Sequence, residues 1–145
     1  VSARVSGAVR ENAALIRPNG AATSGASVTN FSGILLTGSG SGASSEVRNG
    51  WIGRIPGDNN TANTFSSITA YISNYTSSNN KSISADSVFE NNGTTALQDL
   101  SAQLWSDTSA ISSIIIQGDS LDMVSGSTFS LYGVTSGGSG TVTTS

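Results

Sequence analysis

The chain has no cysteine and no histidine in its 145 residues. Without histidine there is no Ser-His-Asp triad, no Cys-His pair and no facial iron triad. Without cysteine, disulfides and thiolate metal sites are excluded as well. Proline occurs twice, and charged side chains make up 10% of the sequence, for a formal net charge of −3. The basic residues Arg4, Arg10, Arg17, Arg48, Arg54 and Lys81 are scattered and form no run. A nucleic-acid surface needs several cations on one face to displace phosphate counterions, so nucleic acid is not an expected partner. Apolar runs such as Ile114-Ile115-Ile116 fall far short of the roughly 18 residues of a membrane-crossing helix, so no membrane is expected either. The sequence opens on Val1, with no signal-peptide pattern after it. That predicts a processed chain or a piece of a longer one.

What is abundant is Ser, Thr, Asn and Gly, which together supply about half of the residues, above ordinary usage. Disorder usually combines low hydrophobicity with high net charge, and the charge here is small. The apolar residues fall in short clusters between turn residues, the pattern of a folded, turn-rich β domain. Over residues 47–55, Val47, Trp51 and Ile55 share one parity. Over 68–75, Ile68, Ala70 and Ile72 alternate with Thr69, Tyr71 and Ser73. Over 81–90, Ile83, Ala85 and Phe89 sit opposite Ser84, Asp86, Val88 and Glu90. Such alternation predicts half-buried antiparallel strands. Further strands are expected at residues 3–9, 13–17 and 31–36. Two long core strands, 111–116 and 128–134, are expected around the polar loop 117–127.

Pro18-Asn19-Gly20 and Pro56-Gly57-Asp58-Asn59-Asn60 predict turns, since proline fixes φ and glycine accepts a positive one. Helical spacing occurs only through Ala96, Leu97, Leu100 and Leu104, which predicts a short helix or turn over 96–105. The Gly/Ser/Thr-rich segment 37–45 predicts a long, mobile loop, and 135–145 a tail or linker. The expected fold is an all-β antiparallel sandwich of the jelly-roll type with little or no helix. It forms one domain over residues 1–134.

Candidate chemistry is sparse. Gly118-Asp119-Ser120-Leu121 spells the nucleophile motif of the GDSL esterases. In those enzymes the motif follows the first strand of an α/β fold and works with a histidine. Here it lies in a late loop of a chain without histidine, where a polar turn is the expected role. Asp119 and Asp122, or Glu46 and Glu90 at strand ends, could serve as glycosidase carboxylates, but a loop Asp pair more often caps a turn or stays solvated. Asp58-Asn59-Asn60 and the group Asp119, Ser120 and Asp122 offer oxygens to calcium, but neither matches an EF-hand loop. Trp51 and Trp105 could stack on sugars as in a carbohydrate-binding module, yet each lies among apolar neighbours, and burial is the expected role. Asn30, Asn59, Asn74, Asn80 and Asn92 head Asn-x-Ser/Thr triplets, as chance dictates in such a composition. No catalytic residue, cofactor or metal is expected.

Arg17-Pro18-Asn19-Gly20, the run Ile68 to Lys81 (ITAYISNYTSSNNK) and above all residues 105–134, with WSDTSAISSIII and then GSTFSLYGV, carry a resemblance. The chain resembles a recurrent family of tailed-phage virion proteins. In that family a Trp precedes Thr-x-Ala-Ile, and a later strand ends Gly-Ser-x-x-x-Leu-Tyr-Gly-Ile/Val. The matching positions are Trp105, Thr108, Ala110, Ile111, Gly126, Ser127, Leu131, Tyr132 and Gly133, with Phe129 as the apolar residue of the closing strand. The family's usual Gly-Asn-Phe in the last loop is replaced by Leu121-Asp122-Met123. Relatives carry further strands ahead of the counterpart of Val1.

The resemblance implies a non-enzymatic capsid decoration or cement protein on the virion surface. Its partners would be the major capsid protein or other virion proteins, and it would be a homo-oligomer. A tail, baseplate or fibre component is the alternative, and a module recognising host glycans a further one. In that closing strand, Phe129 and Leu131 are expected to fill the core.

Overall fold

The computed structural model describes residues 1–22, 30–39, 42–93 and 97–134, so the 135–145 tail lies outside the described residues. The chain folds as an antiparallel β-sandwich, with no helix among the described residues. Its strands are β1 (Ser2–Ala3), β2 (Glu11–Pro18), β3 (Phe31–Ser39), β4 (Gly42–Val47), β5 (Trp51–Pro56), β6 (Ser66–Ile72), β7 (Lys81–Phe89), β8 (Leu97–Trp105) and β9 (Ile114–Gly118). A six-stranded sheet runs β1-β6-β7-β8-β3-β4, and a three-stranded sheet runs β5-β2-β9. The smaller sheet lies over the larger one, chiefly through β5 against β7 and β8.

Alternation builds the interface between them. In β7, Ile83, Ala85 and Phe89 turn inward while Ser82, Ser84 and Asp86 turn out. Ile83 and Ala85 meet Ile52 and Ile55 of β5, Ile68 of β6 and Trp105 of β8 in the buried core. Burying a Leu, Ile or Phe side chain is worth roughly 1.5–3 kcal/mol, and β-branched residues suit the pleat. The core is also partly polar. β5 has β2 on one side only, so its other edge would be left as bare backbone against the large sheet. Side chains of β8 fill that edge. Asp99 accepts the Arg54 N–H at 3.0 Å, the Ser101 hydroxyl donates to Trp51 O at 2.6 Å, and the Gln103 amide oxygen accepts the Gly50 N–H at 2.9 Å. The Arg54 guanidinium lies 2.6 Å from Asp99 Oδ1. Buried main-chain groups need partners, and these three polar residues supply them.

Several expectations are corrected. Residues 97–105 form a strand, not a helix: Leu100 and Leu104 face outward while Asp99, Ser101 and Gln103 face inward, so a period of two was hidden behind leucine spacing. The expected loop 37–45 is the end of β3 and the start of β4, apart from residues 40 and 41, which lie outside the described residues. Thr37 pairs with Ser44 and Gly38 with Ala43 through the backbone, to which side-chain composition is nearly blind. The expected strand 47–55 is broken by a turn at Arg48-Asn49-Gly50, with Gly50 at φ 73°, and its halves belong to different sheets. The strand expected at 3–9 shrinks to β1 and a Val5–Met123 bridge, and the one expected at 111–116 starts at Ile114. Residues 128–134 form no strand beyond a Ser2–Thr128 bridge. Leu131 is 83% exposed and Phe129 is 49% exposed, so neither fills the core.

Candidate functional site

Because β8 turns Asp99, Ser101 and Gln103 inward, it turns Leu100, Ala102 and Leu104 to solvent. β3 does the same with Ile34 and Leu36, while Leu35 is fully buried between them. Register lines these residues up. Ala102 stands opposite Ile34 on one side and Ser84 on the other, Ser84 opposite Tyr71, and Ile34 opposite Val47. One row therefore crosses the sheet as Tyr71, Ser84, Ala102, Ile34 and Val47. Leu100 flanks it beside Leu36, and Leu104 beside Ser32 and Ser82.

Ile34, Leu36, Leu100, Leu104, Tyr71 and Val47 are each between 43% and 75% exposed. Within the strands of this face, Asp86 is the one charged side chain. A shallow depression of about 370 Å³ lies between Ile34, Tyr71, Ala102 and Leu104, with Ser82 and Ser84 on its floor. Scattered apolar residues on a surface are ordinary, whereas a contiguous, nearly uncharged apolar face marks a contact surface. The signal was present in the sequence as Asp99-Leu100-Ser101-Ala102-Gln103-Leu104, a strict alternation whose buried half is the polar one.

The residues singled out by the resemblance separate in space. Trp105 is buried at the end of β8 and Ile111 beneath the following loop, where Thr108 and Ala110 are exposed. Lys81, fully buried, holds that loop. Its ammonium lies 5.4 Å from the Trp105 ring centroid and donates to the carbonyls of Asp107 and Ser109. The Ser109 N–H and then its hydroxyl hold the Asp107 carboxyl below the ordinary value of 3.8; Lys81 adds to this, and partial desolvation opposes it. Gly126 and Ser127 make a turn beside Arg4, with Gly126 at φ 94° and the Ser127 hydroxyl 3.3 Å from Arg4 O. Phe129, Leu131, Tyr132 and Gly133 lie beyond it on the surface.

The other candidates have structural surroundings. The Asp119 N–H is bound by Asn12 Oδ1 at 2.7 Å and by Ala13 O at 3.0 Å, and Ser120 sits at φ 66°, so the GDSL-like run is the turn that ends β9. Asp58 accepts the Gly7 N–H at 2.8 Å. No group of three His, Cys, Asp or Glu residues is placed to hold a metal among the described residues. Trp51 is half-buried with the Arg48 guanidinium 4.7 Å from its ring centroid, and Trp105 is 2% exposed, so neither offers a bare sugar platform.

No family model, curated protein or solved structure matches the chain.

Proposed function

We propose that this chain is a non-enzymatic structural protein of a tailed-phage particle, packing through the outer face of its large sheet as a capsid decoration or cement protein. The observation that carries the reading is the inverted strand β8, polar inside and apolar outside. A sheet that spends buried positions on backbone-capping side chains and exposes Leu100, Ala102 and Leu104 is built to be covered. The occupant would be the neighbouring subunit of the shell, the major capsid protein. A flat, neutral face gives weak single contacts, and many copies on one lattice convert weak contacts into firm attachment. The resemblance of residues 105–134 to phage virion proteins supplies the setting.

The test is the copy number per purified particle, measured by quantitative mass spectrometry against the major capsid protein. Hundreds of copies support a shell decoration. A few dozen or fewer would place the chain in a tail, baseplate or fibre, and absence from particles would end the virion reading. A Leu100→Asp/Leu104→Asp variant should fold and yet be missing from particles; full occupancy by that variant would remove this face from the interface.

A further inference from the structure

The sandwich has open strand edges, and they are not equally guarded. β1 is two residues long and is bridged at Ser2 by Thr128. The free edge of β5 is filled by Asp99, Ser101 and Gln103. β9 is five residues long. β4 is different. It runs for six residues, Gly42–Val47, at the end of the large sheet, and no strand lies on its far side among the described residues. It carries no proline and no lysine, the usual guards of an exposed edge, and its residues are small apart from Glu46 and Val47.

Which groups it offers follows from the ladder. The Arg48 N–H donates to Gly33 O at 2.9 Å, which makes that pair a hydrogen-bonded one. Hydrogen-bonded and non-bonded pairs alternate along antiparallel strands. Glu46 and Ser44 therefore bond to β3, while Ala43, Ser45 and Val47 turn their N–H and C=O groups outward.

We infer that β4 pairs antiparallel with β4 of a second copy about a two-fold axis through Ser45. A two-fold axis normal to the sheet brings outward-facing residues opposite each other, and the strand itself selects among the registers. Centred on Ser45, Ala43 faces the partner's Val47 and Ser45 faces the partner's Ser45, so Ala43, Ser45 and Val47 are all satisfied. Glu46 then faces the partner's Ser44. Centred on Glu46, the two carboxylates would oppose each other, which is unfavourable. Centred on Ser44, Val47 would lose its strand partner. The contact is isologous and closes on itself, so it ends at a dimer and not a fibre. It also joins the two apolar outer faces into one, since Val47 continues the row through Ile34 and Ala102. The inference stands on this edge and does not need the virion reading.

Two variants test it on the isolated chain. Proline at an outward-facing edge position removes an N–H that β3 does not use, so Ser45→Pro should keep the sandwich, with an unchanged circular dichroism spectrum. Sedimentation velocity over a concentration series should show a dimer for the parent and a monomer for Ser45→Pro. Residues facing each other in a hydrogen-bonded pair have Cα atoms about 5.5 Å apart, within disulfide reach. The chain has no cysteine of its own, so Ser45→Cys should oxidise to a covalent dimer while Leu104→Cys, on the outer face, should not. A monomeric parent at every concentration overturns the inference. So does a dimer that survives Ser45→Pro, or one that cross-links through position 104 and not 45.

Discussion

Gly33 lies directly beneath the side chain of Gln103, so that a Cβ added at position 33 would come within 1.7 Å of the Gln103 amide oxygen. That empty space lets the amide reach the turn that leads into the second sheet, where Nε2 donates to Arg48 O at 2.8 Å and Oε1 accepts the Gly50 N–H. The glycine and the glutamine are one device. It ties the β4–β5 turn to the floor of the sandwich.

Gly33→Ala should therefore act as a loss of Gln103 as well as a crowding. The amide must swing away, leaving the Gly50 N–H and the Arg48 carbonyl unpaired. A destabilisation of about 2–4 kcal/mol is expected, from overpacking plus an unsatisfied buried donor. Urea denaturation of Gly33→Ala, Gln103→Ala and the double variant checks it. The double variant should cost far less than the sum, and simple additivity would show that the two residues act separately.

Asp99 is 1% exposed and meets Arg54 with both its backbone N–H and its guanidinium, while Thr37 donates to the same carboxylate at 2.7 Å. Removing the carboxylate leaves the Arg54 N–H without its acceptor and an arginine that is 9% exposed with only its longer ion pairs to Glu46 at 3.4 Å and Glu11 at 3.5 Å. Asp99→Ala should cost about 3–5 kcal/mol, the range for breaking a buried pair from one side. Asp99→Asn, which still accepts the Arg54 N–H, should cost less. Equal losses in chemical denaturation would mean that the ion pair adds nothing beyond the backbone hydrogen bond.

Leu131→Ala should change the unfolding midpoint very little, within about 0.5 kcal/mol, because the side chain is 83% exposed and leaves no cavity. Leu35→Ala, at a position fully buried in β3, should cost about 2–5 kcal/mol. A large loss at Leu131 would show that residues 128–134 pack against the sandwich in solution after all.

Asp107 gives a pH signature. Its folded carboxyl titrates below the ordinary 3.8, chiefly through the Ser109 N–H at 2.7 Å. A group with a depressed folded value binds its proton less readily in the native state. Its contribution is complete well above the unfolded value and is lost as the pH falls through the lowered folded one. The stability difference between the parent and Asp107→Asn should thus be constant near neutrality and shrink as the pH drops below about 4. A difference that stays flat down to about pH 2 would remove Asp107 from acid sensitivity.

The all-β class was legible because alternation at Ile68, Ile83, Ala85 and Phe89 reports directly which face is buried. Strand boundaries were less so. The turn at Arg48-Asn49-Gly50 contains no proline, and its parity happens to carry through from Val47 to Trp51. The end of β3 and the start of β4 hid in a Gly/Ser-rich run because backbone pairing at a sheet edge asks almost nothing of side chains. The outer face was missed for a deeper reason. Apolar residues are ordinarily assigned to the inside, and Leu100 and Leu104 are outside since β8 must present Asp99, Ser101 and Gln103 to the unpaired edge of β5. Nothing in β8 alone reveals that demand. Phe129 and Leu131 show the converse error, strand-like spacing without a strand to pair with among the described residues.

The bridge between Ser2 and Thr128 sets a timetable for folding. Ser2 N donates to Thr128 O at 2.9 Å, and Thr128 N returns the bond at 2.7 Å. Val5 reaches Pro56 O, Ser6 reaches Asp122 O, and Val124 returns to Arg4 O. Ser2, Arg4 and Ser6 are thus tied to residues 122–128, far along the chain, and the β6–β7 hairpin must wait with an unfinished edge. Loops that long close slowly, so such a sandwich folds late and in one step, after synthesis has passed residue 128. Closing the sandwich leaves the apolar outer face and the β4 edge still exposed together, and neighbouring chains on one polysome are the first partners that either surface will meet.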